Sequence, residues 1–113
     1  MKGEFERGLH IIGEMLSYCH RKGAGEFHID ITTENRETTL MVKGSPIKRD
    51  DVDMNMLLKM LNSPRQREIE EYYWSLSGES ECYSELQLVG MMTDEVSVEH
   101  NDQTLSIVLK RYT

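Results

Sequence analysis

Apolar residues in this chain keep two different periods, and the order in which those periods alternate limits the fold more than any other feature. From Phe5 to His20 the residues Phe5, Leu9, Ile12, Leu16 and Cys19 recur every three or four positions, which predicts an amphipathic helix. Arg21 and Lys22 suit its negative C-terminal end, and Gly23-Ala24-Gly25 stops it. The period then drops to two. Phe27, Ile29 and Ile31 alternate with His28, Asp30 and Thr32, as in a half-buried strand. Thr33 to Arg36 reads as a turn, and Thr38 to Lys43 as a second strand with Leu40 and Val42 facing inward.

The helical period returns in the middle of the chain. Val52, Met56 and Met60, with Leu57 and Leu61 beside them, form a stripe after Asp50-Asp51. Ser63-Pro64-Arg65-Gln66 is a helix start, with serine as N-cap and proline at the first helical position. Ile69, Tyr72, Tyr73 and Leu76 then give that helix its apolar face, and Ser77 to Ser80 breaks it. A further helix is expected from Ser84 to Thr93. Two strands close the chain, with Val96 and Val98 in one and Leu105, Ile107 and Leu109 in the other; His100 to Gln103 is read as their turn.

Four strands with one apolar face each, interspersed with amphipathic helices, predict an α+β two-layer sandwich. Its expected form is a mixed sheet of four or more strands, covered by helices on one face, in a single domain spanning residues 1–113. The expected core is Leu9, Ile12, Leu16, Phe27, Ile29, Leu40, Val42, Val89, Val96, Ile107 and Leu109.

Charge and cysteine usage narrow the function. The net charge is −7, and the stretch from Glu68 to Leu109 holds ten acidic residues and no Lys or Arg. Such a field disfavours phosphate backbones, so nucleic acid is not the expected partner. No run of 18 apolar residues is present to cross a membrane, and the charged start of the chain leads into no apolar signal core. A cytoplasmic location is the resulting expectation. Cys19 and Cys82 form no CxxC pair and read as free thiols. His28 and Asp30, with His10 or His20, have no zinc-type spacing, so no metal is expected. The chain has neither GxSxG nor HExxH, so no catalytic residue is assigned.

Three stretches carry a family resemblance: Ile12 to His20 with Gly23-Ala24 and the first hairpin; Val42 to Pro46; and Leu88 to Val96 with the closing hairpin to Leu109. In layout the chain resembles the histidine-kinase-like (GHKL) ATPase domain, and in size the anti-sigma serine-kinase type. The resemblance implies where an ATP site would lie. Ile12 stands where the family has a catalytic glutamate, and Leu16 where it has the metal-binding asparagine. Lys43 replaces the adenine-binding aspartate, Ser45 and Ile47 replace the following glycines, and Tyr83 and Glu85 occupy the phosphate-binding glycine turn.

None of these replacements can do the family's work. Mg²⁺ needs oxygen ligands, lysine has only donors, and a side chain on the phosphate turn blocks close approach. The expected function is therefore a non-catalytic interaction or regulatory domain, without cofactor, in bacterial signalling. The alternative is a nucleotide-binding serine kinase of the anti-sigma type with an atypical pocket. For a protein partner the expected surface is the acidic and aromatic stretch of Glu70, Glu71, Tyr72, Trp74, Glu81 and Tyr83, which suits a basic partner. A homodimer is also compatible with the sequence.

Overall fold

The computed structural model describes residues 3–65 and 85–112. Helix α1 (Glu4–Arg21) leads into strands β1 (Glu26–Glu34) and β2 (Glu37–Ser45). A single 3₁₀ turn (Arg49–Asp51) precedes α2 (Met54–Leu61); α3 (Glu85–Met91) then leads to β3 (Glu95–Asn101) and β4 (Thr104–Tyr112). The helix expected beyond Ser63 lies outside the described residues. Ser63 itself donates its hydroxyl back to the Met60 carbonyl at 2.9 Å, closing α2.

The strands form one sheet in the order β1-β2-β4-β3, and every neighbouring pair is antiparallel. The expectation of a mixed sheet is corrected on this point, for a topological reason. The helical crossover delivers β3 in the same direction as β2, as such a crossover does, but leaves a one-strand gap between them. Strand β4 folds back from β3 into that gap, so the two parallel strands never touch. Both hairpins are tight. Asn35 and Arg36 adopt positive φ of 51° and 63°, the left-handed backbone that a two-residue turn requires. The second turn is Asp102-Gln103, so His100 and Asn101 belong to β3 rather than to the turn.

One sheet face carries the core. Leu40, Val42, Leu105, Ile107 and Leu109 are buried there beneath Ile11, Ile12, Met15, Leu57, Leu61, Leu88, Val89 and Met92 of the helical layer. Burying each such side chain contributes ~1.5–3 kcal/mol, which the ordering of the chain largely offsets. The opposite face presents Glu26, His28, Asp30, Glu95, Ser97 and Glu99 to solvent. The described part is thus a two-layer α+β structure.

Two local devices set α1 against β2. At its C-terminus Gly23 takes φ of 108°, the Gly23 amide bonds to the His20 carbonyl, and the Ala24 amide bonds to the Cys19 carbonyl. That pairing is a Schellman motif, and it turns the chain sharply into β1. Gly44 on β2 then lets the helix end come close: a Cβ there would sit 2.8 Å from the Cβ of Cys19.

The core departs from the sequence expectation along α1. Its buried residues are Gly8, Ile11, Ile12, Met15, Tyr18 and Cys19, so the expected stripe is rotated. On this stripe Gly8 sits over Leu40, whose side chain would lie 3.4 Å from a Cβ at that position. Leu9 is consequently exposed and Leu16 only half-buried. In α2 the buried residues are Leu57 and Leu61, while Met56 points outward.

Candidate functional site

Helix α1 lies over β2, and β1 extends beyond it as the sheet edge. The core-side residues of β1 are therefore roofed incompletely. Phe27 and Ile31 are half-buried against the core, whereas Ile29 between them is 45% exposed. On α1, Phe5 is 58% exposed and shares a cleft with Ile31, and Leu9, one turn further on, is 45% exposed. These are three of the five large apolar side chains exposed among the described residues. Scattered exposed apolar residues are ordinary, but three gathered along one trough mark a surface suited to contact.

The trough has two clefts. One, about 400 Å³, is lined by Glu4, Phe5, Gly8, Ile31, Thr33, Arg36 and Thr38. The other, about 370 Å³, lies at the opposite end of α1 between Leu16, Ser17, His20, Arg21 and Phe27. Leu9 lies between the two clefts along α1, and Ile29 lies between them along β1. Both clefts are open to solvent and mixed in lining, and neither gathers a set of groups that could act on a substrate.

The helical wall of the trough is anchored by a buried ion pair. Arg111, fully buried on the core face of β4, donates from Nε to Oε2 of Glu4 at 2.8 Å and from Nη2 to Oε1 at 2.9 Å. Its remaining terminal nitrogen, Nη1, donates to the Met92 carbonyl just past α3. A planar guanidinium suits this two-pronged contact, and the Glu4 carboxylate also favours the positive start of α1. One arginine thus joins α1, α3 and β4. Nearby, Asp94 accepts from Arg65 at 2.6 Å and from the Tyr112 amide at 2.6 Å. The Tyr112 hydroxyl donates to Glu95, which holds its pKa up at about 12.

The positions matched to an ATP site fall in different surroundings. Ile12 is 5% exposed inside the core cluster, and Leu16 is half-buried beside it. Lys43 and Ser45 sit on the other face of the sheet, since Gly44 between them is the residue that meets Cys19. The four therefore do not line a common cavity. Ile47 is fully buried. Glu85 opens α3, and Tyr83 lies outside the described residues. Glu70, Glu71, Tyr72, Trp74 and Glu81 also lie outside them, so the acidic aromatic surface rests on the sequence alone.

Among the described residues no three His, Cys, Asp or Glu side chains gather as a metal site would require, and no helix is long and apolar enough to cross a membrane. Cys19 is buried, and that burial pushes its thiol up to about 11, so it is a packing residue rather than a nucleophile. Burial likewise raises the Tyr18 hydroxyl, with Cys19 adding to the effect.

Sequence reasoning missed the Glu4–Arg111 pair and the trough. A faint signal existed for the first: Arg111 continues the inward series Leu105, Ile107 and Leu109 and so falls on a core position. The second had none, because the amount of β1 left uncovered depends on where α1 crosses the sheet. No protein-family model matches this chain, and no curated protein matches it.

Proposed function

We propose that this chain is a non-catalytic protein-interaction or regulatory domain, laid out like the histidine-kinase-like ATPase domain and lacking ATP binding. The observation that carries the reading is Ile12. At the position matched to the family's catalytic glutamate stands an apolar side chain, 5% exposed and packed among core residues. Leu16, at the position of the metal-binding asparagine, packs against the same cluster. A Mg²⁺–triphosphate needs oxygen ligands and a polar cavity at that place, and hydrocarbon supplies neither. In this reading the domain works in the cytoplasm, and its surfaces rather than a pocket carry the function.

The test is thermal. A ligand at about a hundred times its dissociation constant stabilises a folded domain by ~2.7 kcal/mol, which would raise the melting temperature by several degrees. The expected result with millimolar ATP·Mg²⁺ is no shift. A rise of several degrees would overturn the proposal and favour the nucleotide-binding alternative.

A further inference from the structure

Among the described residues β1 is a terminal strand of the sheet, and its outer edge pairs with no other strand. It runs nine residues, Glu26 to Glu34, in unbroken register with β2. It contains no proline, lysine or bulge, three of the features that protect sheet edges, and its carboxylates all lie on the open face or at the ends of the strand. The two-residue turn at Asn35-Arg36 makes Glu34 and Glu37 a hydrogen-bonded pair. Counting back by twos, Glu26, His28, Asp30 and Thr32 spend their backbone groups on β2. Phe27, Ile29, Ile31 and Thr33 therefore direct their N–H and C=O groups outward, away from the sheet.

We propose that β1 is the pairing edge of a symmetric homodimer, in which two copies join β1 to β1 antiparallel about a two-fold axis at Ile29. This register uses the outward backbone groups: Ile29 pairs with Ile29 of the second copy, and Phe27 with Ile31 on either side. The same register places His28 opposite Asp30 twice on the open face of the sheet, where both are exposed. Imidazole opposite carboxylate is a donor facing an acceptor in either protonation state of the histidine. On the helical side, Ile29 is covered by its own twin, and the exposed Phe5 and Leu9 flank a continuous apolar floor.

The neighbouring registers that keep the outward groups paired are worse. A shift centred on His28 sets Glu26 against Asp30. One centred on Asp30 sets that carboxylate against itself and Glu26 against Glu34. One centred on Ile31 opposes Ile29 to Thr33 and leaves Phe27 beside the turn. The other sheet edge, β3, carries Glu95 and Glu99 on its open face with no cation among them. Between the two edge strands, only β1 sets an imidazole opposite its own carboxylate. The pairing is independent of whether the domain binds nucleotide, so it can fail while the proposed function stands, and the reverse.

Sedimentation equilibrium on the full chain tests the pairing. The expected mass at concentrations up to about 1 mM is twice that of the chain, falling to the monomer on dilution. Ile29→Lys, at an exposed position, leaves the monomer folded by circular dichroism and abolishes the dimer. His28→Asp alone sets the new carboxylate opposite Asp30 twice, two like-charge pairs, and raises the dissociation constant about tenfold or more. The double variant His28→Asp/Asp30→Lys restores affinity, because each copy now offers the exchanged charge at the same register. A monomer at all concentrations overturns the proposal, as does a dimer indifferent to Ile29→Lys. Failure of the exchange to rescue a dimer that His28→Asp weakens overturns the register.

Discussion

Replacing Glu4 with alanine removes both carboxylate oxygens from Arg111, leaving the fully buried guanidinium with the Met92 carbonyl as its remaining partner of these contacts. Breaking a buried pair from one side costs about 3–5 kcal/mol when both groups are fully desolvated. Here the Glu4 side chain keeps 13% exposure, and the cavity left by its removal lets water reach the cation. The expected loss is therefore about 2–3 kcal/mol, at or just below the lower bound of that range. For a chain of this length that corresponds to a fall in melting temperature of about 8–12 °C. The second arm is Glu4→Ala combined with Arg111→Met, which replaces the pair with hydrocarbon. Methionine fills much of the arginine stem's volume, so the double variant should recover most of the loss. Urea denaturation of the parent, both single variants and the double variant gives the coupling energy directly. If Glu4→Ala costs under about 0.5 kcal/mol, the pair behaves like an exposed one and the anchoring role assigned to Arg111 is wrong.

Three further outcomes follow from the packing. Gly90→Ala should destabilise by about 1–3 kcal/mol in urea denaturation, because its Cβ would press on the Met60 and Leu61 carbonyls, the latter at 2.9 Å; a neutral result would mean that α2 and α3 are not in backbone contact. Met15→Ala should cost about 2–5 kcal/mol and Leu9→Ala less than about 1 kcal/mol, since Met15 is fully buried and Leu9 is 45% exposed; the reverse order would restore the stripe expected from the sequence. In a Cys82→Ala background, Cys19 should resist iodoacetamide at pH 8 until the protein unfolds, because its thiol, pushed up to about 11, is almost entirely protonated there. Rapid alkylation in native buffer would contradict its burial.

The strand pattern was the most legible part of the sequence. Leu40, Val42, Ile107 and Leu109 recur at every second position between polar flanks, and all four are buried on the sheet's inner face. Both hairpins were also readable, since their turns are local. The strand order was not: whether β4 enters between β2 and β3 is decided by long-range packing, and the antiparallel outcome left no mark on any short stretch. Helix α1 shows a subtler limit. Its residues form two overlapping apolar stripes, and choosing between them required knowing that Gly8 sits over Leu40. Once α1 rotated onto that stripe, Leu9 and Ile29 were left at the surface, and the trough exists as a consequence. The Glu4–Arg111 pair was hidden because its partners lie near opposite ends of the chain. For the ATP-site comparison, Ile12 and Leu16 were readable as apolar, and Lys43, next to the inward Val42, was readable as lying on the opposite face of the sheet.

An amide-resolved NMR titration with ATP·Mg²⁺ tests the central claim most directly, because it reads the positions matched to the family's pocket one by one. With Ile12 packed in the core and Leu16 packed against it, the amides of Ile12, Leu16, Lys43 and Ser45 should keep their chemical shifts at millimolar nucleotide. Saturable shifts confined to those residues and the start of α3 would show a nucleotide pocket, and would contradict the reading of this chain as a domain that works through its surfaces.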